Sequence, residues 1–365
     1  MATALVSPAA AGDEYGHGGG DPDPGGITVV AEGLNGPRQL SDRGYGSKVY
    51  VAESDAGQVS LVDLRRGAVR PVVTGLGENL TQGVDVVRGK LQIAIGEGAP
   101  DGPDVPPAPY GSAVLLGVKG NRPPTLLADL RQFELDENPD GQAQFDEGGA
   151  LLDDALSNPY FVHSYRNGSS LIADAGGNDI VQRTARGDVR LWRALPLITD
   201  GACENAPNNT PDVLGCDPVP TGIAVDQRGR VYVSALGGPP GTGKVFVYDR
   251  WHRDPVRTIS GLTGPTGVEV DRQGNVYVSE LLEGAPEGEG PPPEGFDPST
   301  IGRIVKIAPD DRRWIAEVTM PSGLLIHHGE LYASAWSVAG LFLQMPDAGQ
   351  IVRVDDAAFV EAPVS

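Results

Sequence analysis

Residues 136–147, DENPDGQAQFDE, carry Asp136, Asn138, Asp140, Gly141 and Glu147 at the spacing D-x-[DN]-x-[DN]-G-x5-E. Oxygen donors at alternate positions, a glycine for a sharp turn and a closing glutamate are what a loop needs to wrap Ca2+. Pro139 biases Asn138 away from helical backbone, and Gly148-Gly149 interrupt the helix that would follow. The expectation is therefore a free-standing loop of modest affinity. Other chemistry is thin. There is no Gly-x-Ser-x-Gly elbow and no Cys/His pair. GPPGTGKV (238–245) imitates a phosphate loop, but Val245 stands where a Mg2+-binding hydroxyl belongs and the segment joins two strand patterns. The histidines do not assemble: His17 lies in a Gly-rich leader, His163 on a strand, His252 in a turn, and His327-His328 in a turn read as solvated. No catalytic residue is assigned on this basis.

Cys203 and Cys216 share one loop and are the only cysteines. A disulfide stapling that loop is the expectation, worth about 3 kcal/mol in the chain-entropy model. The first eleven residues, ending Ser7-Pro8-Ala9-Ala10-Ala11, resemble the back half of a secretory signal, and 12–26 is a Gly/Asp/Pro leader. The expected location is secreted, periplasmic or extracellular. No apolar run approaches the roughly 18 residues that span a bilayer. The formal net charge of −21 argues against nucleic-acid partners and anionic membrane surfaces, and favours cationic ligands and divalent metals.

The elements that must position any site come from a repeat. PTGIAVDQRGRVYVSALGG (220–238) returns as PTGVEVDRQGNVYVSELLE (265–283), with Ala235 replaced by Glu280. Four looser copies begin near residues 36, 80, 158 and 321. Each is a strand, a tight Gly-containing turn and a second strand; a third strand follows, and a fourth in all but the last. Four short antiparallel strands recurring about every 45 residues define a propeller blade. The sixth copy ends at QIVRVDD, and ITVVAEGL (27–34) resembles the missing fourth strand. The predicted fold is all-β: a single six-bladed β-propeller over 27–355, its ring closed by the N-terminal strand, with 356–365 a C-terminal tail.

With strands lettered A to D outward from the axis, B–C and D–A loops emerge on one face. The long segments 97–111, 237–243, 281–300, 337–348, 131–157 and 197–218 all belong to such loops. Long loops on one side of a rigid scaffold are where binding concentrates. The ends of the B strands place Glu53, Glu97, Asp174 and Glu280 at the channel mouth on that face. The starts of the A strands place Gln39, Gln82, Asn158, Thr221, Thr266 and Ser322 beside them, with Asn178 close by. Convergent oxygen ligands suit Ca2+ or another hard divalent cation. Glu53, Glu97, Asp174 and Glu280 are thus the candidate metal ligands, and Gln39, Gln82, Asn158 and Asn178 the candidate ligand-binding residues. No nucleotide or organic cofactor is expected.

GLNGPRQL, VYVAESDAGQV, ADLRQFELDENPDG, SNPYFV, LIADAGGNDIV, VPTGIAVDQRGRVYVSALGG and GPTGVEVDRQGNVYVSEL together resemble the ScyD/ScyE family of exported propellers. More distantly the chain is similar to NHL-repeat and gluconolactonase-type six-bladed propellers. The ScyD/ScyE resemblance implies an exported propeller and supplies no catalytic residues. The gluconolactonase resemblance implies a divalent metal at the channel mouth, held here among Glu53, Asn158, Asp174 and Glu280. The leading reading is a secreted monomer that binds a small ligand or protein partner on its insertion-rich face, with Ca2+ at the mouth. The alternatives are a metal-dependent lactonase- or lyase-type enzyme at the same mouth, and a structural envelope scaffold.

Overall fold

The computed structural model describes residues 25–42, 46–97, 108–142, 144–145, 151–153, 156–208, 210, 212–286, 293 and 295–362. Alternation of apolar and polar residues at period two gives strands, and Gly-containing turns fold them into antiparallel sheets. Blade 1 is Pro37–Asp42, Lys48–Glu53, Gln58–Asp63 and Ala68–Val73. Blade 2 is Thr81–Val87, Lys90–Ile95, Val114–Lys119 and Thr125–Asp129. Blade 3 is Pro159–Ser164, Ser170–Asp174, Asp179–Arg183 and Val189–Ala194. Blade 4 is Pro220–Val225, Val231–Ala235, Gly243–Tyr248 and Arg257–Leu262. Blade 5 is Pro265–Val270, Val276–Glu280, Arg303–Ile307 and Arg313–Ala316. Blade 6 is Leu324–His327, Glu330–Ala335 and Gly349–Val354, completed by Ile27–Leu34.

The closing strand runs antiparallel to the C strand of blade 6, from Ile27 opposite Val354 to Leu34 opposite Gly349. Pairing the chain's two ends in one sheet removes two free edges. His327 reinforces the same seam. Expected in a solvated turn, it is 3% exposed: Nδ1 lies 2.8 Å from Asp42 Oδ2 and Nε2 2.9 Å from the Gly46 carbonyl, both in blade 1. The C-terminal segment also has a place in the fold. Val360–Glu361 adds a fifth strand to blade 5 opposite Trp314 and Ile315, and Phe359 stacks edge-on against Tyr277.

The core lies between the faces of neighbouring sheets. Phe161, Leu171 and Ile180 of blade 3 pack against Ile223, Val233 and Phe246 of blade 4. At the axis the A strands nearly touch. A Cβ on Gly267 would lie 2.3 Å from the Ser322 carbonyl, and one on Gly323 2.3 Å from the Arg38 carbonyl, so only glycine fits there. Blade 1 puts Gln39 at this level instead, and its side chain crosses the axis to link blades. Nε2 donates to the Val162 carbonyl at 2.7 Å, while Oε1 accepts from Val84 N and Val162 N, each at 3.1 Å.

Candidate functional site

The B-strand acids turn out to be corner fastenings. Glu280 accepts from Thr263 N at 2.6 Å through Oε1 and pairs with the Arg303 guanidinium through Oε2. Glu53 accepts from Asn35 N at 2.8 Å and from Gln58 Nε2 at 2.9 Å. Thr263 and Asn35 each lie two residues before the proline that starts the next A strand and that pairs directly with the acid. In blade 4 the residue two before Pro220 is Pro218, which has no N–H to satisfy, and Ala235 stands where the others have glutamate. The Ala235–Glu280 difference between the two repeats therefore follows backbone hydrogen bonding. Burial raises the Glu280 carboxyl above its ordinary range, opposed by Thr263 N and Arg303.

Asp174 occupies the same corner in blade 3. Its Oδ1 accepts from Asn158 N at 2.6 Å and from Gly176 N and Gly177 N at 3.2 Å, and its Oδ2 from the Ser157 hydroxyl at 2.5 Å. Glu97 lies beyond its strand, half-exposed, with its N–H donating to Asn158 Oδ1 at 3.1 Å and its carboxylate 3.4 Å from Arg131. Asn158 thus joins Glu97 to Asp174, whereas Glu53 and Glu280 stay in their own corners. Among the described residues, no three His, Cys, Asp or Glu side chains come together as a metal-binding group.

The expected ligand-binding residues are likewise partly committed. Gln39 sits one residue deeper than the mouth; Arg38 holds the mouth position in blade 1 and donates to the Ser337 carbonyl. Gln82 Nε2 donates to the Asn79 carbonyl at 3.0 Å, and its buried Oε1 has no partner among the described residues. Asn178, left-handed at φ 51°, donates to Asp140 Oδ2 at 2.9 Å and accepts from Val219 N at 3.1 Å. Thr221 and Thr266 donate to carbonyls of the following blade, and Tyr160 Oη lies 3.5 Å from Ser322 Oγ across the ring. The GPPGTGKV segment joins strands B and C of blade 4, where Lys244 pairs with Asp200 at 2.7 Å.

The DENPDG segment does not wrap a single centre. Its first residues finish helix α1, Leu130–Glu137, which Asp129 caps through Gln132 N. Asp136 is exposed on that helix and accepts from Gln132 Nε2 at 2.9 Å. The helix stops at left-handed Asn138, so Asp140 turns back towards Asn178. A cation-wrapping loop needs both acids facing inward, whereas here Asp136 stays on the exposed helix face and Asp140, beyond the left-handed cap, turns to Asn178. Glu147 lies outside the described residues.

What forms instead is a buried carboxyl cluster that includes two residues with no mark in the sequence, Glu134 and Asp179. Asp179 is directly opposite Asp174 across strands B and C of blade 3, and both are 0% exposed. Neither carboxyl oxygen of Asp179, nor Oε2 of Glu134, has a hydrogen-bond partner among the described residues. A Cβ on Gly177 would lie 2.8 Å from Glu134 Oε2, so the glycine admits this carboxyl over the hairpin. Burial, then Asp174, Glu134 and Asp140, hold Asp179 well above the usual carboxylate range. Burial, then Asp174 and Asp140, push Glu134 up to about 8. The cluster therefore carries protons at neutral pH, because stacked buried carboxylates cannot all ionise.

The insertion loops above are tied to one another. Cys203 and Cys216 form the disulfide, S–S 2.05 Å, and Gly238 of the blade 4 B–C loop packs on Cys216. Asp217 Oδ1 accepts from Asn208 Nδ2 and from Gln142 Nε2, each at 2.7 Å, which joins the two long D–A loops. Among the described residues no helix is long and apolar enough to cross a membrane.

Six antiparallel blades in a closed ring make this a six-bladed β-propeller, and solved structures agree. The gluconolactonase XC5397 from Xanthomonas campestris superposes at TM-score 0.54 with 11% identity over 90% of this chain and 89% of that one. The PQQ-bound aldose sugar dehydrogenase of Streptomyces coelicolor gives 0.54 with 12% identity over 90% and 97%. A putative glucose dehydrogenase from Thermus thermophilus gives 0.53 with 14% identity over 90% and 98%. At such identities the likeness is one of fold. No protein-family model and no curated protein sequence matches the chain.

Proposed function

We propose that the chain is an exported propeller that binds a cationic ligand or partner on its insertion-bearing face. One observation carries this reading: the long loops of that face hold acids almost without bases. In 195–219 the charged residues are Asp200, Glu204, Asp212 and Asp217, and every charged residue of 281–302 is likewise acidic. Such a surface concentrates cations and steers them to the mouth. Divalent cations such as Ca2+ belong to the same class and would meet loop carboxylates before the engaged acids at the B-strand ends. Export is supported by the leader pattern and the disulfide. The ScyD/ScyE-like motifs support the same assignment.

A metal-dependent lactonase- or lyase-type enzyme is the second reading, favoured by the ring shared with a gluconolactonase. A docking scaffold is the third, favoured by the exposed Leu341, Phe342 and Met345 on the blade 6 B–C loop.

Calorimetric titration with spermine at low and high NaCl tests the leading reading. Saturable binding is expected, weakening as salt screens the loops, and weakening again in Glu204→Gln/Asp212→Asn/Asp297→Asn. Absence of saturable binding at low salt, or affinity untouched by the triple variant, would overturn it. Metal-dependent turnover of a lactone would establish the second reading.

A further inference from the structure

The face opposite the insertions carries a cleft of the reverse chemistry. Between blades 2 and 3 a cavity of about 460 Å³ is lined by Arg88, Lys90, Lys119, Arg122 and Arg183, and its lining holds no aspartate or glutamate. In a chain of net charge −21 this is an unusual place to leave cations together. Four of the five are exposed, and Arg88, Lys90, Lys119 and Arg122 have no anionic partner among the described residues.

Strand register adds to the charge argument. Lys90 and Lys119 are directly opposite across strands B and C of blade 2. Like charges in that relation are destabilising unless something negative lies between them. At the equivalent pair of blade 1 the chain places Lys48 opposite Asp63, the complementary choice. Two residues inward, Gln92 faces Gly117. Glycine in a strand interior weakens the strand, and here the Leu127 side chain closes over it: a Cβ on Gly117 would lie 2.9 Å from Leu127.

The polar groups of the wall donate. Arg183 is steadied by Nε donating to the Leu127 carbonyl at 3.2 Å. Gln92 spends its Oε1 on Ser170 Oγ at 2.6 Å, and Asn167 spends its Oδ1 on Ser169 N and Oγ. Both amides thereby have N–H groups left over. Leu91, Val118 and Leu127 supply apolar wall between the charges. The volume falls within the range of small-molecule sites.

We propose that this inter-blade cleft binds a small organic polyanion, one carrying two or more carboxylate or phosphate groups on a compact body. Its charges would bridge the Lys90–Lys119 pair and the arginines beside it, making charge-assisted hydrogen bonds. The site stands apart from the insertion face and does not depend on the function proposed for that face.

Calorimetric titrations of the intact chain with citrate and with inorganic pyrophosphate test it, glycerol serving as the neutral control. Saturable binding of at least one anion and none of glycerol is expected, with affinity falling as NaCl rises. Binding of citrate alone identifies a carboxylate site, and of pyrophosphate alone a phosphate site. Replacing one cation by an anion in Lys119→Glu or Arg122→Glu is expected to weaken binding on the order of tenfold or more. The matched change Lys48→Glu on blade 1 is expected to leave it unchanged. The altered side chains are exposed, so a melting curve suffices to show that each variant folds. No saturable binding of either anion up to millimolar concentration would overturn the proposal. So would affinity that survives Lys119→Glu/Arg122→Glu, or that Lys48→Glu reduces as much.

Discussion

The protein is expected to be more stable to urea at pH 5.5 than at pH 8.5, by a few kcal/mol. Glu134 ordinarily titrates near 4.5 and is pushed up to about 8 in the folded chain, and Asp179 is raised well above its ordinary range. Between those values the folded state holds protons that the unfolded chain has released. Stability is then complete below the unfolded value and is lost as pH rises towards the folded one. A tenfold change in proton affinity is worth about 1.4 kcal/mol, and sharing among the coupled carboxyls of Glu134, Asp140, Asp174 and Asp179 caps the total. Around these four lie the neutral Asn178 amide, the Ser157 hydroxyl and the backbone N–H groups of Asn158, Gly176 and Gly177. Self-repulsion of an acidic chain acts in the same direction, so a variant must isolate the cluster. Asp179→Asn keeps the shape of the protonated acid without a titrating group. It is expected to gain roughly 1–2 kcal/mol at pH 8.5 and to flatten the profile. Denaturation curves at the two pH values read this directly. A flat wild-type profile, or an unchanged slope in Asp179→Asn, would show that the cluster does not titrate in this way.

The second large effect belongs to Gln39. Replacing it by leucine leaves Val84 N, Val162 N and the Val162 carbonyl without their partner at the axis. At about 1–3 kcal/mol for each orphaned buried group, the loss should reach about 3 kcal/mol or more. Gln39→Glu keeps an acceptor and loses the donor to Val162. Its deficit should therefore widen as pH rises and the new buried carboxyl ionises. The check is the urea midpoint of each variant with the slope unchanged. Either substitution at wild-type stability would mean that solvent replaces the glutamine at the axis.

Both effects involve side chains whose roles the sequence only partly discloses. The six-fold repeat, the D strand borrowed from residues 27–34, the loop face and the disulfide are legible because each leaves a local mark: a period, a missing strand, two cysteines. PRQL looks like a looser PTGI, which puts Gln39 at the mouth. The register shows that Gln39 takes the glycine position of that repeat, one step deeper. Glu53 and Glu280 look like metal ligands because composition cannot say which acids meet a backbone N–H. Pro218 before Ala235 is the available signal, and it is a local one. Glu134 and Asp179 are 45 residues apart in the numbering, and only the docking of α1 on the blade 3 hairpin brings them together. The basic cleft is hidden for a similar reason, since its cations are scattered over turns and strand ends of blade 2 and a strand of blade 3.

The B-strand acids lock blade corners, and the function proposed above gives recognition to the loops. A Ca2+ titration of the wild type beside Glu53→Gln/Glu280→Gln tests this division of labour most directly. The amide keeps an acceptor for Asn35 N and Thr263 N but weakens both bonds and removes the pairing with Arg303. The predicted result is a lower melting temperature for the double variant with Ca2+ binding the same in both proteins. A stoichiometric ion held by the wild type and lost from the variant would contradict it and return the acids to a metal centre.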